Sequence, residues 1–511
     1  MKSISNYALF LAPVERYPFI SIFLIALSLR LLLLAVGFVD YWGDAHHNLI
    51  MSKLTLENGF IYTDFKDRAV AWLPLYRYWG SLVLLLTGSY SLVVINIANT
   101  LIGALVASIT AWIGAQLINP KTGLFSGLTA VIMPYMMVFS YTSMPEMLGA
   151  LLLLGWFYGL YKNNHWLVVL CAALGALTRE EITFLIGIST LFLLYFKNYK
   201  AVGYSISGLI LGLGIWSWWA YLNSGNPLSW LLNRFQSTTS STAFYADTGN
   251  FWVEYLLTPL SSLVQAFPLL LLFLWIRRPS LKNKTDRNHW ILLAGFLVLT
   301  HWTFIFLAQF KIIAYPDPRM FILTIPFAII WFFNVQNRGY FKEFVTKKVI
   351  FIFIGISLIQ LVVPYYRQYS LQPRKEAGEW IKENVQGSDL IWSDLAVSIV
   401  ESDRNPNWFI SSDRLVPKSI RNTESEEDFI AYAIESKEIS YITSYNAPFD
   451  YTQTLWPEIK GQQPFEWKGI TFVPVFSYSP FEYREAGLHN FLRAQFESPL
   501  QTATVWKLYR N

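Results

Sequence analysis

Long apolar runs separated by short polar stretches recur from about Pro18 to Tyr366, and the pattern then turns to mixed polarity. Crossing a bilayer core takes about twenty apolar residues in a helix. The runs predict eleven such helices, at about 18–38, 91–118, 123–139, 145–161, 165–178, 182–196, 202–221, 254–276, 290–309, 319–335 and 349–366. Those at 165–178 and 182–196 are short and are read as a pair. The stretch 72–87 is apolar but short, and predicts a helix lying at the interface or dipping into it. Arg30 falls inside the first run, a costly place unless its guanidinium is paired or reaches water.

The first long interruption, 38–77, is far larger than a turn between two helices requires. It carries Asp40, Asp44, Glu57, Asp64 and Asp67 with His46, His47 and many aromatics. It reads as a structured loop on the membrane surface that holds the chemistry. Within it, 48–59 predicts a short amphipathic helix ended at Asn58-Gly59. The tail reads as helix at 375–385, strand at 389–394, helix at 424–438, and strands at 439–445 and 503–510. Two units follow: a transmembrane module, 1–369, and a soluble unit, 370–511, of α/β or α+β type.

Composition agrees with a membrane protein. Hydrophobic residues make up 54% of the 511 and charged residues only 14%, against about 25% in soluble chains. The net charge of +5 does not indicate nucleic acid, because the basic residues fall mainly between apolar runs. Loops 277–287 and 337–348 hold five and four basic residues against one acidic residue each. The alternate connections carry Glu146, Glu180, Glu181, Asp247 and Asp317. Cytoplasmic loops are the basic ones, so the first loop and the tail are expected outside a plasma membrane. The fold class is thus a polytopic α-helical membrane protein of about eleven transmembrane helices with a C-terminal extracytoplasmic α/β or α+β domain. The lone Cys171 supplies neither a disulfide framework nor a thiolate metal site.

The outward edges gather the candidate site. Asp44 is the candidate base, and Asp40, His47 and Glu146 are candidates for orienting an acceptor. A carboxylate can take the proton of an attacking hydroxyl. Asp44 also stands just ahead of the 48–59 helix, where it could act as a cap. Arg319, Lys311 and Arg179 are candidates for holding a phosphate, arginine in a bidentate manner. His46 and His47 are adjacent and, with scattered carboxylates, lack a metal-ligand spacing. A divalent metal is therefore not called for, and no other cofactor is implied. The run STTSST at 237–242 is a candidate cover for the site. Acids and cations at one membrane edge suit a lipid that carries a phosphate and a transferable head group.

The stretch GDAHHNLIMSKLTLENGF (43–60) resembles the first-loop acidic motif of the GT-C membrane glycosyltransferases that use polyprenyl-phosphate sugars. The protein mannosyltransferase and aminoarabinose transferase branch is the most similar. Asp44 falls at the motif aspartate, Ala45 where a paired glutamate often stands, and His47 where an aromatic often stands. SMPEM (143–147) resembles the opening of a later span, and YPDPRMFILTIP (315–326) a basic element before a late span. RKEAGEWIKENVQGSDLIWSD (374–394) resembles the start of the family's extracytoplasmic domain. The resemblance implies an inverting transfer from a polyprenyl (dolichyl or undecaprenyl) phosphate sugar to a hydroxyl on a lipid, glycan or protein. In it, Asp44 would serve as base and Arg319 and Lys311 would stabilise the departing phosphate. A monomer is expected. A transporter or flippase of a lipid-linked or polar solute is the alternative, and it would favour ionisable groups at mid-membrane.

Overall fold

The computed structural model describes residues 18–59, 73–230, 256–270, 286–308, 317–337, 347–417, 420–445, 450–478, 488–496 and 502–510. Most apolar runs are helical, but few are straight helices of crossing length. Among the described residues three helices are long and apolar enough to cross a membrane: Leu92–Leu117, Tyr199–Ser224 and His289–Leu307. A fourth arises if Pro120–Ile132 and Pro134–Tyr141, bent by 62°, are counted as one. This corrects the expectation of eleven. An apolar run fixes burial, but not where the helix breaks. Pro134 has no backbone N–H to continue the helix and opens a new one at its own N-terminus. The run at 319–335 begins as a 3-10 turn, Pro318–Thr324, before the Ile325–Asn337 helix. Glu146–Tyr161, His165–Ala176 and Glu180–Tyr195 have 16, 12 and 16 residues. The chain is a multi-pass membrane protein whose interior is built largely from short apolar helices around one core cluster.

The described part of the first loop is largely buried within the protein. Its helix spans Gly43–Glu57, and every residue from Ala45 to Thr55 is buried. An amphipathic segment would leave one face in water, whereas a helix buried all round must be packed on all sides. Three hydrophobic clusters meet on it. Ala45 joins the main helical core, and Leu49 packs with Val83, Leu84 and Ile95. Ile50, Met51 and Leu54 pack with Ile381, Ile391, Phe409 and Tyr441 of the tail. Each such buried side chain contributes about 1.5–3 kcal/mol by leaving water. The stretch read as interfacial contains the Pro74–Thr87 helix, which packs on this loop helix. A Cβ at Gly80 would clash with Ser52, so glycine permits that close approach.

The tail forms a six-stranded mixed sheet in the order β2-β1-β3-β6-β5-β4. Its strands are β1 (Leu390–Trp392), β2 (Phe409–Ile410), β3 (Ile439–Tyr445), β4 (Phe465–Trp467), β5 (Ile470–Ser477) and β6 (Ala503–Arg510). β1 pairs in parallel with β2 and β3, and the remaining pairs are antiparallel. Trp392, Trp456 and Trp506 fill one side of the sheet. The other side covers the loop helix.

Candidate functional site

The Gly43–Glu57 helix begins after Tyr41 and Trp42, and Trp42 is its N-cap without a side-chain cap bond. Asp44 lies inside the first turn, where a carboxylate interacts favourably with the helix dipole. Its Oδ2 accepts a hydrogen bond from Arg319 Nη1 at 2.8 Å. The pair is partly open: the side chains are 40% and 23% exposed for Asp44 and Arg319. Arg319 sits in the first turn of the 3-10 helix, whose start is capped by Asp317 accepting from the Arg319 backbone N–H at 2.9 Å. Burial works against the charge on Arg319, but the carboxylates of Asp44, Glu146 and Asp317 more than restore it and hold its pKa above the usual range.

Trp42 forms a shelf beside this pair. The Arg319 guanidinium lies 5.0 Å from the Trp42 ring centroid. A second guanidinium, Arg367, lies 5.1 Å from the same ring and 5.5 Å from that of Tyr41. Phe38 packs on Tyr365 at 5.1 Å, which ties the end of the Lys347–Arg367 helix to the first loop. Arg374 Nη1 comes within 4.0 Å of the Cβ position of Gly43. His46 Nδ1 bonds to the Trp42 carbonyl oxygen at 3.0 Å, and burial lowers its pKa to about 4. It is thus a neutral donor that fixes the Trp42 backbone.

The other expected residues divide. Glu146 opens its helix and is buried, and its Oε1 accepts from Arg179 Nη1 at 2.6 Å. Arg179 also donates from Nη2 at 2.8 Å and Nε at 3.2 Å to the two oxygens of Glu181. Glu146 interacts electrostatically with Arg319, so the two clusters are neighbours. Asp40 is buried behind them. Its Oδ1 accepts from the Ser143 backbone N–H at 3.1 Å, and Asn48 Nδ2 donates to the Ser143 carbonyl at 2.9 Å. Burial raises the Asp40 pKa to about 7 in spite of the Ser143 N–H, the nearby Asn96 side chain and the charge of Lys375. His47 is buried in the same helix. Lys311 and the 237–242 run lie outside the described residues. Among the described residues, no group of three or more His, Cys, Asp or Glu is arranged to hold a metal.

Arg367 was not among the residues picked from the sequence. It ends the last apolar run in YYR, where it reads as an ordinary flanking cation. The aromatic pair before it was the available signal.

No protein-family model matches the chain and no curated protein is recognisably similar to it. Solved structures are similar. ArnT of Cupriavidus metallidurans, bound to undecaprenyl phosphate, aligns with TM-score 0.58 and 11% identity over 98% of each chain. The fold is the GT-C fold. The apo form of the same ArnT aligns with TM-score 0.56 and 11% identity, covering 91% of this chain and 96% of that one. The Archaeoglobus fulgidus oligosaccharyltransferase aligns with TM-score 0.47 and 10% identity over 86% of this chain and 70% of its own. Within this fold, Asp44, Arg319 and Trp42 lie where the first loop meets the helical core.

Proposed function

We propose that the chain is an inverting glycosyltransferase that moves a sugar from a polyprenyl-phosphate donor to an acceptor hydroxyl on the extracytoplasmic face. The observation that carries this reading is the open Asp44–Arg319 pair beside Trp42. It joins a carboxylate fit to take a proton and a guanidinium fit to hold a phosphate. The GT-C fold and the undecaprenyl phosphate held by ArnT support the donor class. The basic loops 277–287 and 337–348 support the assignment of face.

The chemistry follows from exchange of partners. The donor phosphate takes the Arg319 N–H groups and releases Asp44 from its ion pair. Asp44 then accepts the acceptor's proton as the hydroxyl oxygen bonds to the anomeric carbon. The bond from that carbon to the phosphate oxygen breaks on the opposite face, and its electron pair leaves with the polyprenyl phosphate. The anomeric configuration inverts. Arg319 meets the charge that builds on the departing oxygen. Asp40 holds Ser143, and with it the start of the Glu146 helix, in register with the site. Arg179, with three nitrogens already bound, acts as a strut that aims Glu146.

Asp44→Asn is the test. Asparagine keeps the size and the helix start but removes the base. Turnover with a lipid-linked sugar is expected to fall by about 10² to 10⁴, with the fold and the binding of undecaprenyl phosphate retained. Near-normal turnover, or a product of retained configuration, sinks the mechanism.

A further inference from the structure

Arg319 and Arg367 converge on one indole. Their guanidiniums lie 5.0 and 5.1 Å from the Trp42 centroid. Arg319 spends one N–H on Asp44, and its other side-chain nitrogens have no partner among the described residues. Arg367 is exposed and forms no ion pair among the described residues. Its electrostatic neighbours are Tyr41 and Asp317. Two guanidiniums therefore share one aromatic shelf, and of the two only Arg319 is hydrogen-bonded to a carboxylate, which leaves the exposed Arg367 head open to an incoming anion. Guanidiniums are weakly hydrated planar forks suited to phosphate oxygens.

Resting on the reading above, we infer that Arg367 is a leaving-group residue: with Arg319 it binds the phosphate monoester dianion that the transfer releases. The donor's phosphate is a diester with one negative charge. When the bond from the anomeric carbon to the phosphate oxygen breaks, its electron pair stays on that oxygen. The phosphate becomes a monoester and gains a second charge, while the proton from the acceptor passes to Asp44. Arg319 suffices for the first charge, and Arg367 is placed for the second. An interaction stronger with the product phosphate than with the donor lowers the barrier, because the charge is already developing in the transition state.

The test compares two lipids on the full-length protein in detergent at one pH near 8. Undecaprenyl phosphate carries the dianion, and its methyl diester carries a single charge. Arg367→Gln is expected to weaken undecaprenyl phosphate by on the order of ten-fold or more, the weight of one charge-assisted contact. The methyl diester is expected to change little, and Arg367→Lys to recover much of the loss. Equal effects on both lipids, or none on either, overturn the inference. Inorganic phosphate is the third arm, and competition at concentrations equal to the lipid would overturn a lipid as the source of the dianion. Arg319→Gln separates the two readings. It should weaken both lipids, and unchanged binding of both would remove the site assignment itself, whatever Arg367 does.

Discussion

Arg179 donates from three nitrogens to two carboxylates, whereas Arg319 donates from one nitrogen to one. Both stand near the start of a short helical element and both face an acid from another part of the chain. They differ in what remains. Glu146, the partner of Arg179, is 1% exposed, and Asp44, the partner of Arg319, is 40% exposed. A guanidinium with all three nitrogens engaged by two acids, one of them buried, cannot turn to a ligand without leaving an acid unpaired. A guanidinium with open donors, over an aromatic face and beside water, can exchange one anion for another at small cost. On the proposed function, the same pair of residue types would serve as a strut at one place and as a binding group at the other.

Breaking the strut should produce the larger effect on the fold. Removing one partner of a buried ion pair typically costs about 3–5 kcal/mol, because the other charge stays buried and uncompensated. Arg179→Ala is therefore expected to lower thermal stability in detergent severely, with loss of activity following from loss of fold. Arg319→Ala breaks a more open pair, and such pairs contribute at most about 1 kcal/mol. It should unfold near the wild-type temperature yet lose binding of undecaprenyl phosphate by on the order of 10². Arg319→Lys should restore little of that affinity, since an ammonium offers a point charge where a planar fork fits. If Arg179→Ala melts like the wild type, or Arg319→Ala binds the lipid normally, the contrast between the two sites collapses.

Both members of that contrast were visible as residues, but not as roles. Asp44, Glu146, Arg179 and Arg319 stand out in the sequence because charge at the ends of apolar runs is rare and easily seen. Their pairing was not legible, since it depends on which helix starts face one another. The helical character of the chain was also plain from its apolar runs. The number of crossings was not: hydropathy averages over the break at Pro134 and the 3-10 turn at Pro318–Thr324, which decide how far a helix continues. The 48–59 stretch reads as amphipathic because Lys53 and Ser52 interrupt its apolar residues. Both are buried, under partners such as Arg77, whose carbonyl takes a Ser52 hydrogen bond, and Tyr90, whose ring lies under Lys53. In the tail, β1, β3 and β6 occupy stretches that read as strands, while β2 has only two residues and gives no periodicity to read. Arg367 escaped for a similar reason, because its partner Trp42 lies at the other end of the helical region.

The smallest effect concerns the group behind both arginines. Asp40 is neither a strut in an ion pair nor an open site. It is a buried carboxyl with one oxygen bonded to the Ser143 backbone and the other without a partner among the described residues. Burial raises its folded pKa to about 7 from an ordinary 3.8. The folded state therefore holds this proton more tightly than the unfolded chain does. The stabilisation linked to it is complete below about pH 4 and is lost as pH rises through about 7. Wild-type protein should accordingly lose stability between pH 5 and 8, and Asp40→Asn should lose less over the same interval. Asparagine keeps an oxygen for the Ser143 N–H and carries no charge at any pH. Asp317 is also raised by burial and contributes a slope of the same sign, so only the difference between wild type and variant reports Asp40. That difference is expected to be a few degrees in Tm at most for a chain of this length. Thermal melts of both proteins at pH 5, 6, 7 and 8 measure it. Parallel melting curves would mean that Asp40 stays charged in the fold, with a counter-charge or water reaching its second oxygen. Its part in holding Ser143 would then be that of an ordinary surface carboxylate.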